Sequence, residues 1–251
     1  MLVDTHCHLH DRQFFTEEQA EEMVKRAREK GVEKIICIGT DPEDSLAAHD
    51  FAEKHDNVYW TYGIHPEETV NVARLQKKPD LAISQPIAIG EVGLDYHSEG
   101  FDREAQIRLF EEMLQLAADN NLPVSFHVRN AFPDFIAVVK NFPTVRGCVH
   151  SFTDSKKTLR KILETTDYYV GVNGLATYST LPTPPLDRIL LETDAPFLTP
   201  VPFRGIINEP GYVYDIAQWL SLKLGVEFET VEKETTNNAK RLFNFPDTKL
   251  R

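Results

Sequence analysis

Residues 1–38 read MLVDTHCHLHDRQFFTEEQAEEMVKRAREKGVEKIICI. The stretch opens on an apolar pair, Leu2 and Val3, and returns to a second apolar run at 34–38. Between them, Thr16-Glu17-Glu18-Gln19 has capping-box spacing, in which the threonine and glutamine side chains each satisfy a backbone N–H of the other. Ala20, Met23, Val24 and Ala27 follow at helical period, and Gly31 stops the helix. Strand, helix and strand in this order form a βαβ unit, whose strands run parallel.

The same alternation continues along the chain. Further short apolar runs lie at 58–64, 87–89, 124–126, 148–149, 168–172 and 189–191, making eight strand candidates. Each is nearly continuous in apolar residues, as expected where both faces of a sheet are covered. Asp41-Pro42 places a cap before proline at the first turn of a helix. Over 102–121, Ile107, Phe110, Leu114 and Ala117 share one stripe, and Leu159, Ile162 and Leu163 repeat it after Ser155. Segments 212–223 and 231–243 read as two closing helices. No repeat, low-complexity tract or flexible linker divides the 251 residues, a length close to the ~250 of one α/β barrel. The expected fold is α/β, a single (β/α)8 TIM barrel spanning 1–251. A doubly wound open sheet is the alternative, but no glycine-rich phosphate loop follows the first strand. Segment 174–186, with Pro182, Pro184 and Pro185, is irregular.

Composition narrows the function classes. The net charge of −12 is spread along the chain, which argues against nonspecific duplex binding through a basic face. It does not exclude an anionic substrate at a site whose charge is inverted by bound cations. No apolar run approaches the ~18 residues of a membrane span, so no membrane association is expected. Cys7, Cys37 and Cys148 are odd in number and far apart, which suits reduced thiols in the cytoplasm. No basic segment precedes Leu2 and Val3, so a secretory leader is not expected.

The chemistry-bearing residues cluster at strand ends. His6 and His8 are two apart and so point to one face of the first strand. Glu91 follows the fourth apolar run, His127 the fifth, His150 the sixth and Asp194 the eighth. A lone histidine after a strand is more often structural, and a lone aspartate is commonly a helix cap. Those readings do not account for four imidazoles and two carboxylates on the rim where barrel enzymes carry their sites. Six donors exceed the needs of one tetrahedral zinc, and two divalent cations ~3.5–4 Å apart are the economical solution. Imidazole donors favour zinc or manganese over magnesium, although availability can override that preference. His65, Arg129 and Arg204 are candidates for an anionic substrate, with Phe152, Tyr96 and Phe203 as stacking faces. Surface salt bridges and ordinary loop packing are equal rivals for those residues.

As a set, these motifs resemble the TatD family of metal-dependent deoxyribonucleases. The resemblance rests on Asp-Thr-His-Cys-His-Leu at 4–9, Gly-Ile-His-Pro at 63–66, Gly-Glu-Val-Gly-Leu-Asp-Tyr at 90–96, His127-Val-Arg129 and His150-Ser-Phe152. It continues in Leu-Leu-Glu-Thr-Asp-Ala-Pro at 190–196, Pro-Val-Pro-Phe-Arg-Gly at 200–205, Asn-Glu-Pro at 208–210 and Asn-Ala-Lys-Arg-Leu-Phe at 238–243. It implies a barrel hydrolase with two divalent cations held by His6, His8, Glu91, His127, His150 and Asp194. DNA would be its substrate rather than a stably bound partner, often cleaved 3′→5′ from an end. In that frame Glu91 bridges the cations, Asp194 activates a water, and Arg129 and His65 orient the phosphodiester. Two departures from the family stand out: segment 174–186 is shorter than usual, so the helix after strand 7 is expected to be missing or replaced, and Asp154 stands where the family commonly has glycine, an added carboxylate that would weaken phosphate binding if it faces the site. The rivals are an amidohydrolase or phosphoesterase acting on a small molecule or acyl-tRNA, and a non-catalytic metal-bound binding protein.

Overall fold

The structure, a computed structural model, describes residues 1–70 and 85–246. Eight strands form one sheet in sequence order: β1 (Leu2–Cys7), β2 (Val32–Cys37), β3 (Val58–Tyr62), β4 (Ala88–Asp95), β5 (Val124–Arg129), β6 (Gly147–Val149), β7 (Tyr169–Val172) and β8 (Ile189–Leu191). Every neighbouring pair is parallel. The sheet closes where the end of β1 meets the segment after β8. His8 N donates to the Ala195 carbonyl at 2.7 Å, and Asp194 N donates to that of His6 at 2.8 Å. The fold is therefore the expected TIM barrel.

The helices are α1 (Glu17–Glu29), α2 (Pro42–Ala52), α3 (Arg103–Asp119), α4 (Phe132–Val139), α5 (Lys156–Thr165), α6 (Val213–Leu224) and α7 (Phe228–Phe243). Local chemistry starts four of them as the sequence implies. Thr16 makes the full capping box with Gln19, and Asp41, Asp102 and Ser155 each accept a first-turn N–H. Helix α4 had no such announcement, because Ala131 offers no side-chain cap and the segment is apolar on most sides. Between β7 and β8 the barrel helix is replaced by two short 3-10 turns, Gly174–Thr177 and Leu186–Arg188. Pro182, Pro184 and Pro185 in the intervening loop lack the N–H that a helix ladder needs.

Two apolar layers hold the barrel. Ile35, Val58, Ile89, Phe126 and Val149 pack outward against helix residues such as Met23, Phe51, Phe110, Phe135 and Ile162. A smaller cluster joins Val3, Ile36, Tyr59, Ala88, Cys148 and Leu190 to Ala239, Leu242 and Phe243 of α7. Helix α7 thus plugs the N-terminal mouth of the barrel. Its fully buried Asn238 donates through Nδ2 to the carbonyls of Leu186 and Ile189, both at 2.9 Å. Thr236 bonds the Met1 carbonyl, and Arg146, just before β6, reaches the Leu242 carbonyl at 3.0 Å. With one mouth closed, the polar ends of the strands are left to the other.

Replacing Asn238 with alanine leaves the carbonyls of Leu186 and Ile189, the latter buried, without their donor. The expected cost is about 2–4 kcal/mol of unfolding free energy in urea. Leu222→Ala, at a position 83% exposed on α6, is expected to change it by less than about 0.5 kcal/mol. Equal effects for the two substitutions would contradict the plug assigned to α7.

Candidate metal centre

Strand alternation carries the inward face from apolar to polar toward the open mouth. On β5, Ser125 sits beside Cys148, and His127 lies two residues further along. On the β8 side, Leu190 is followed on the same face by Glu192. Gly171 makes room for that carboxylate, since a Cβ there would come within 2.3 Å of Glu192 Oε2. Gly93 has φ of 152° and lies so close to β5 that a Cβ would sit 1.9 Å from the His127 carbonyl oxygen. A side chain at either position would push the neighbouring polar residues apart.

Asp4 ties the two strands that meet at the seam. It is fully buried, with Oδ1 accepting the Thr193 N–H at 2.9 Å and Oδ2 accepting the Thr193 hydroxyl at 2.6 Å. Burial pushes its pKa well above the usual carboxylate range, and the bonds to Thr193 act against that rise. This clamp sets His6 and His8, just beyond Asp4, opposite Asp194, just beyond Thr193.

At the mouth the two oxygens of Glu91 face different partners. Oε2 lies 3.5 Å from His6 Nε2 and 3.9 Å from His8 Nε2, while Asp194 Oδ1 is 3.6 and 3.7 Å from the same nitrogens. These gaps are too long for hydrogen bonds. They are close to the ~3.3–3.6 Å that separates ligands held ~2.0–2.2 Å from a tetrahedral cation. The buried Nε2 of His6 has no hydrogen-bond partner among the described residues. His8 Nδ1 lies 3.1 Å from the Ile38 carbonyl, so it carries the proton and leaves the Nε2 lone pair facing the gap. Burial, reinforced by repulsion from His6, lowers the His8 pKa to about 3, which keeps the ring neutral. The donors present therefore fit a divalent cation.

Oε1 of Glu91 faces a second group. His127 Nδ1 is 2.8 Å away, His150 Nε2 3.1 Å and His65 Nε2 3.9 Å. This group is drawn together at hydrogen-bond distances around Glu91. Burial alone would lower the His127 pKa, but bonds to Asp95 and Glu91 raise it to about 9. Burial likewise opposes charging of His150, yet the carboxylates of Glu91 and Glu192 hold its pKa well above the usual value. Burial favours protonation of Glu91, and the His150 charge with bonds from His127 and His150 outweighs it, so the carboxylate stays ionised. Asp194 is raised to about 6, chiefly by burial. It also has φ of 59°, a left-handed conformation sparsely populated outside glycine.

The six donors expected from sequence thus converge, and His65 joins them. Its Nδ1 accepts the Glu67 N–H at 3.3 Å, which leaves the proton on Nε2, pointing toward Glu91. Two supports were not singled out beforehand. Asp95 Oδ2 lies 2.7 Å from His127 Nε2, and Glu192 Oε1 lies 3.4 Å from His150 Nδ1 while accepting the Ser151 N–H at 2.6 Å. Their signal was spacing, since Asp95 falls four residues after Glu91 on β4 and Glu192 two residues before Asp194 just past β8.

Other expectations are corrected or redirected. Phe152 is 5% exposed and packed against Phe132, so its faces are covered rather than open to a base. Arg204 stacks its guanidinium over Tyr178, 3.8 Å from the ring centroid. Phe203 is stacked on Tyr212, with the Lys30 ammonium over both rings. Tyr96 donates its hydroxyl to Asp134 and stacks on Phe101. Arg129 is exposed at the end of β5, near enough to Asp95 to help lower its pKa. The Asp154 carboxylate bonds Ser155 and Thr158 at the start of α5, so it is committed to that helix rather than turned on the site.

A family profile described as TatD related DNase matches residues 3–244. An uncharacterised metal-dependent hydrolase of Bacillus subtilis, YabD, is 36% identical over 97% of this chain and 99% of its own length. A 3′-5′ ssDNA/RNA exonuclease TatD of Erwinia tasmaniensis is 34% identical over 89% of this chain and 93% of its own. The crystal structure of YJJV, a TatD homologue from Escherichia coli, superposes with a TM-score of 0.82 at 28% identity, covering 98% of each chain.

Glu192 stands beside His150, so Glu192→Gln should weaken divalent-cation binding by about 10- to 100-fold. Titration with cobalt(II), followed by visible absorption, measures it. Unchanged affinity would contradict a supporting role for Glu192 in this cluster.

Proposed function

Because the chain belongs to the TatD related DNase family and is a metal-dependent hydrolase, we propose that it is a 3′→5′ exodeoxyribonuclease with a dinuclear divalent metal site. The observation that carries this reading is the splitting of Glu91 between His6–His8 on one oxygen and His127–His150 on the other. Two divalent cations bound there, zinc, manganese or magnesium, would supply Lewis acidity to a phosphate and to a water. His6, His8, Glu91 and Asp194 would hold one, and His127, His150 and Glu91 the other.

The remaining roles follow from position. Asp194 Oδ1, central between His6 and His8, is the oxygen that would receive the proton of the attacking water. His65 keeps its proton on Nε2 and would donate a hydrogen bond to a non-bridging phosphate oxygen. Arg129, exposed at the end of β5, would reach the next phosphate with its guanidinium fork. A lysine bridge, as in many amidohydrolase barrels, has no counterpart here because Glu91 stands in that place. The whole of 1–251 is taken as one catalytic domain, acting on DNA as a transient substrate. A cytoplasmic setting would suit Cys7, Cys37 and Cys148, all buried and unpaired. No helix among the described residues is long and apolar enough to cross a membrane.

End-labelled single- and double-stranded DNA, incubated with metal-loaded protein, is expected to shorten in a ladder from the 3′ end. Asp194→Asn should retain bound metal and lose about 10²- to 10⁴-fold in rate. Intact DNA with turnover of a small ester or amide would replace this reading with the amidohydrolase one. No turnover across such a panel would leave a metal-bound binding protein.

A further inference from the structure

Two large aromatic side chains stand out at the seam of the mouth, and the donor cluster does not use them. Phe14, in the loop after β1, is 42% exposed, and Phe197, in the loop after β8, is 47% exposed. Their rings meet edge to face, with centroids 5.2 Å apart at 81°. Phe197 also approaches the His8 ring at 6.5 Å and 64°. Its N–H donates to the Asp194 carbonyl at 2.8 Å, so a tight turn fixes the ring beside the donor cluster. Leu198, next in the chain, has φ of 56°, a conformation unfavourable for a branched residue. A locally strained turn is holding an apolar ring out in water.

Leaving that much aromatic surface hydrated is unfavourable unless a partner covers it. An edge-to-face pair uses only one face of one ring, so π-surface remains open on both. A nucleotide whose phosphate lies beside His8 could set its base against that surface. Charge points the same way. With 27 basic against 39 acidic residues, the protein gains little long-range attraction for a polyanion. Stacking is independent of net charge and works on any unpaired base.

We propose that Phe14 and Phe197 form a stacking step for an unpaired nucleobase at the β1–β8 edge of the mouth. The step favours unpaired ends, because a terminal base held in a duplex must first lose its pairing and its stacking neighbour before it can turn onto the rings. This inference rests on the nuclease reading and specifies the form of substrate that the site takes.

The test uses the full-length protein with magnesium and a single-stranded phosphorothioate oligonucleotide carrying 2-aminopurine, whose fluorescence falls on stacking. Wild-type protein is expected to quench it. Phe14→Ala and Phe197→Ala should each weaken the quenching titration by about 5- to 150-fold, with Phe197→Trp restoring it. Leu222→Ala, on the outer helix α6, should not move it. Absence of quenching by the wild type, or an unchanged titration in both alanine variants, would overturn the proposal. So would an unchanged titration accompanied by loss of self-association in gel filtration, which would assign the pair to a protein interface. Ordinary end-labelled DNA separates the two readings. Quenching without hydrolysis would sink the nuclease and leave the stacking step, whereas hydrolysis without quenching would do the reverse.

Discussion

A carboxylate that is 4% exposed, set among imidazoles, is the constraint on which the rest of this molecule depends. Glu91 would be costly to keep ionised in such a place without partners of opposite charge. On one oxygen it has His127 and His150 within hydrogen-bond distance. On the other, the nitrogens of His6 and His8 stand 3.5 and 3.9 Å away, close to the spacing of ligands about one cation.

The barrel supplies what that arrangement needs. Six donors from β1, β4, β5 and the segments after β6 and β8 meet at one point because the sheet closes, and closure at the rim depends on a few contacts. The bonds of Asp194 and His8 across the seam, and the burial of Asp4 against Thr193, fix the angle at which His6 and His8 face Asp194. At the opposite mouth α7 seals the interior with Leu242 and Phe243, so the polar mouth is the accessible one. Stability and chemistry are thus segregated along the barrel axis, as is general for this architecture.

Much of this was legible in the sequence, because closely spaced strands with both faces covered leave a simple trace of short apolar runs. All eight lie at the positions those runs mark. Their lengths were harder to read. β1 extends through Asp4, Thr5 and His6, and β4 through Glu91 to Asp95, because polar residues turned into a barrel remain in strand, here across register shifts between Asp4 and Cys7 and between Ile89 and Val92. From sequence, such residues look like the start of a loop. Helix α4 escaped notice since Phe132-Pro133 opens it without a capping side chain. The donor set was legible because its members recur at one end of successive strands. The roles of Asp95 and Glu192 were not, since a carboxylate that orients a histidine has the same letter as one that binds metal. Exposure was the least legible quantity. Phe152 is covered by Phe132, and Phe14 is left bare beside Phe197, through contacts between segments distant in the chain.

The central claim is that one carboxylate divides two donor groups. It is tested most directly by anomalous diffraction from crystals soaked in manganese or zinc. The account predicts two peaks about 3.5–4 Å apart, with one oxygen of Glu91 directed at each. A single peak, or two peaks with Glu91 turned away from both, would contradict it.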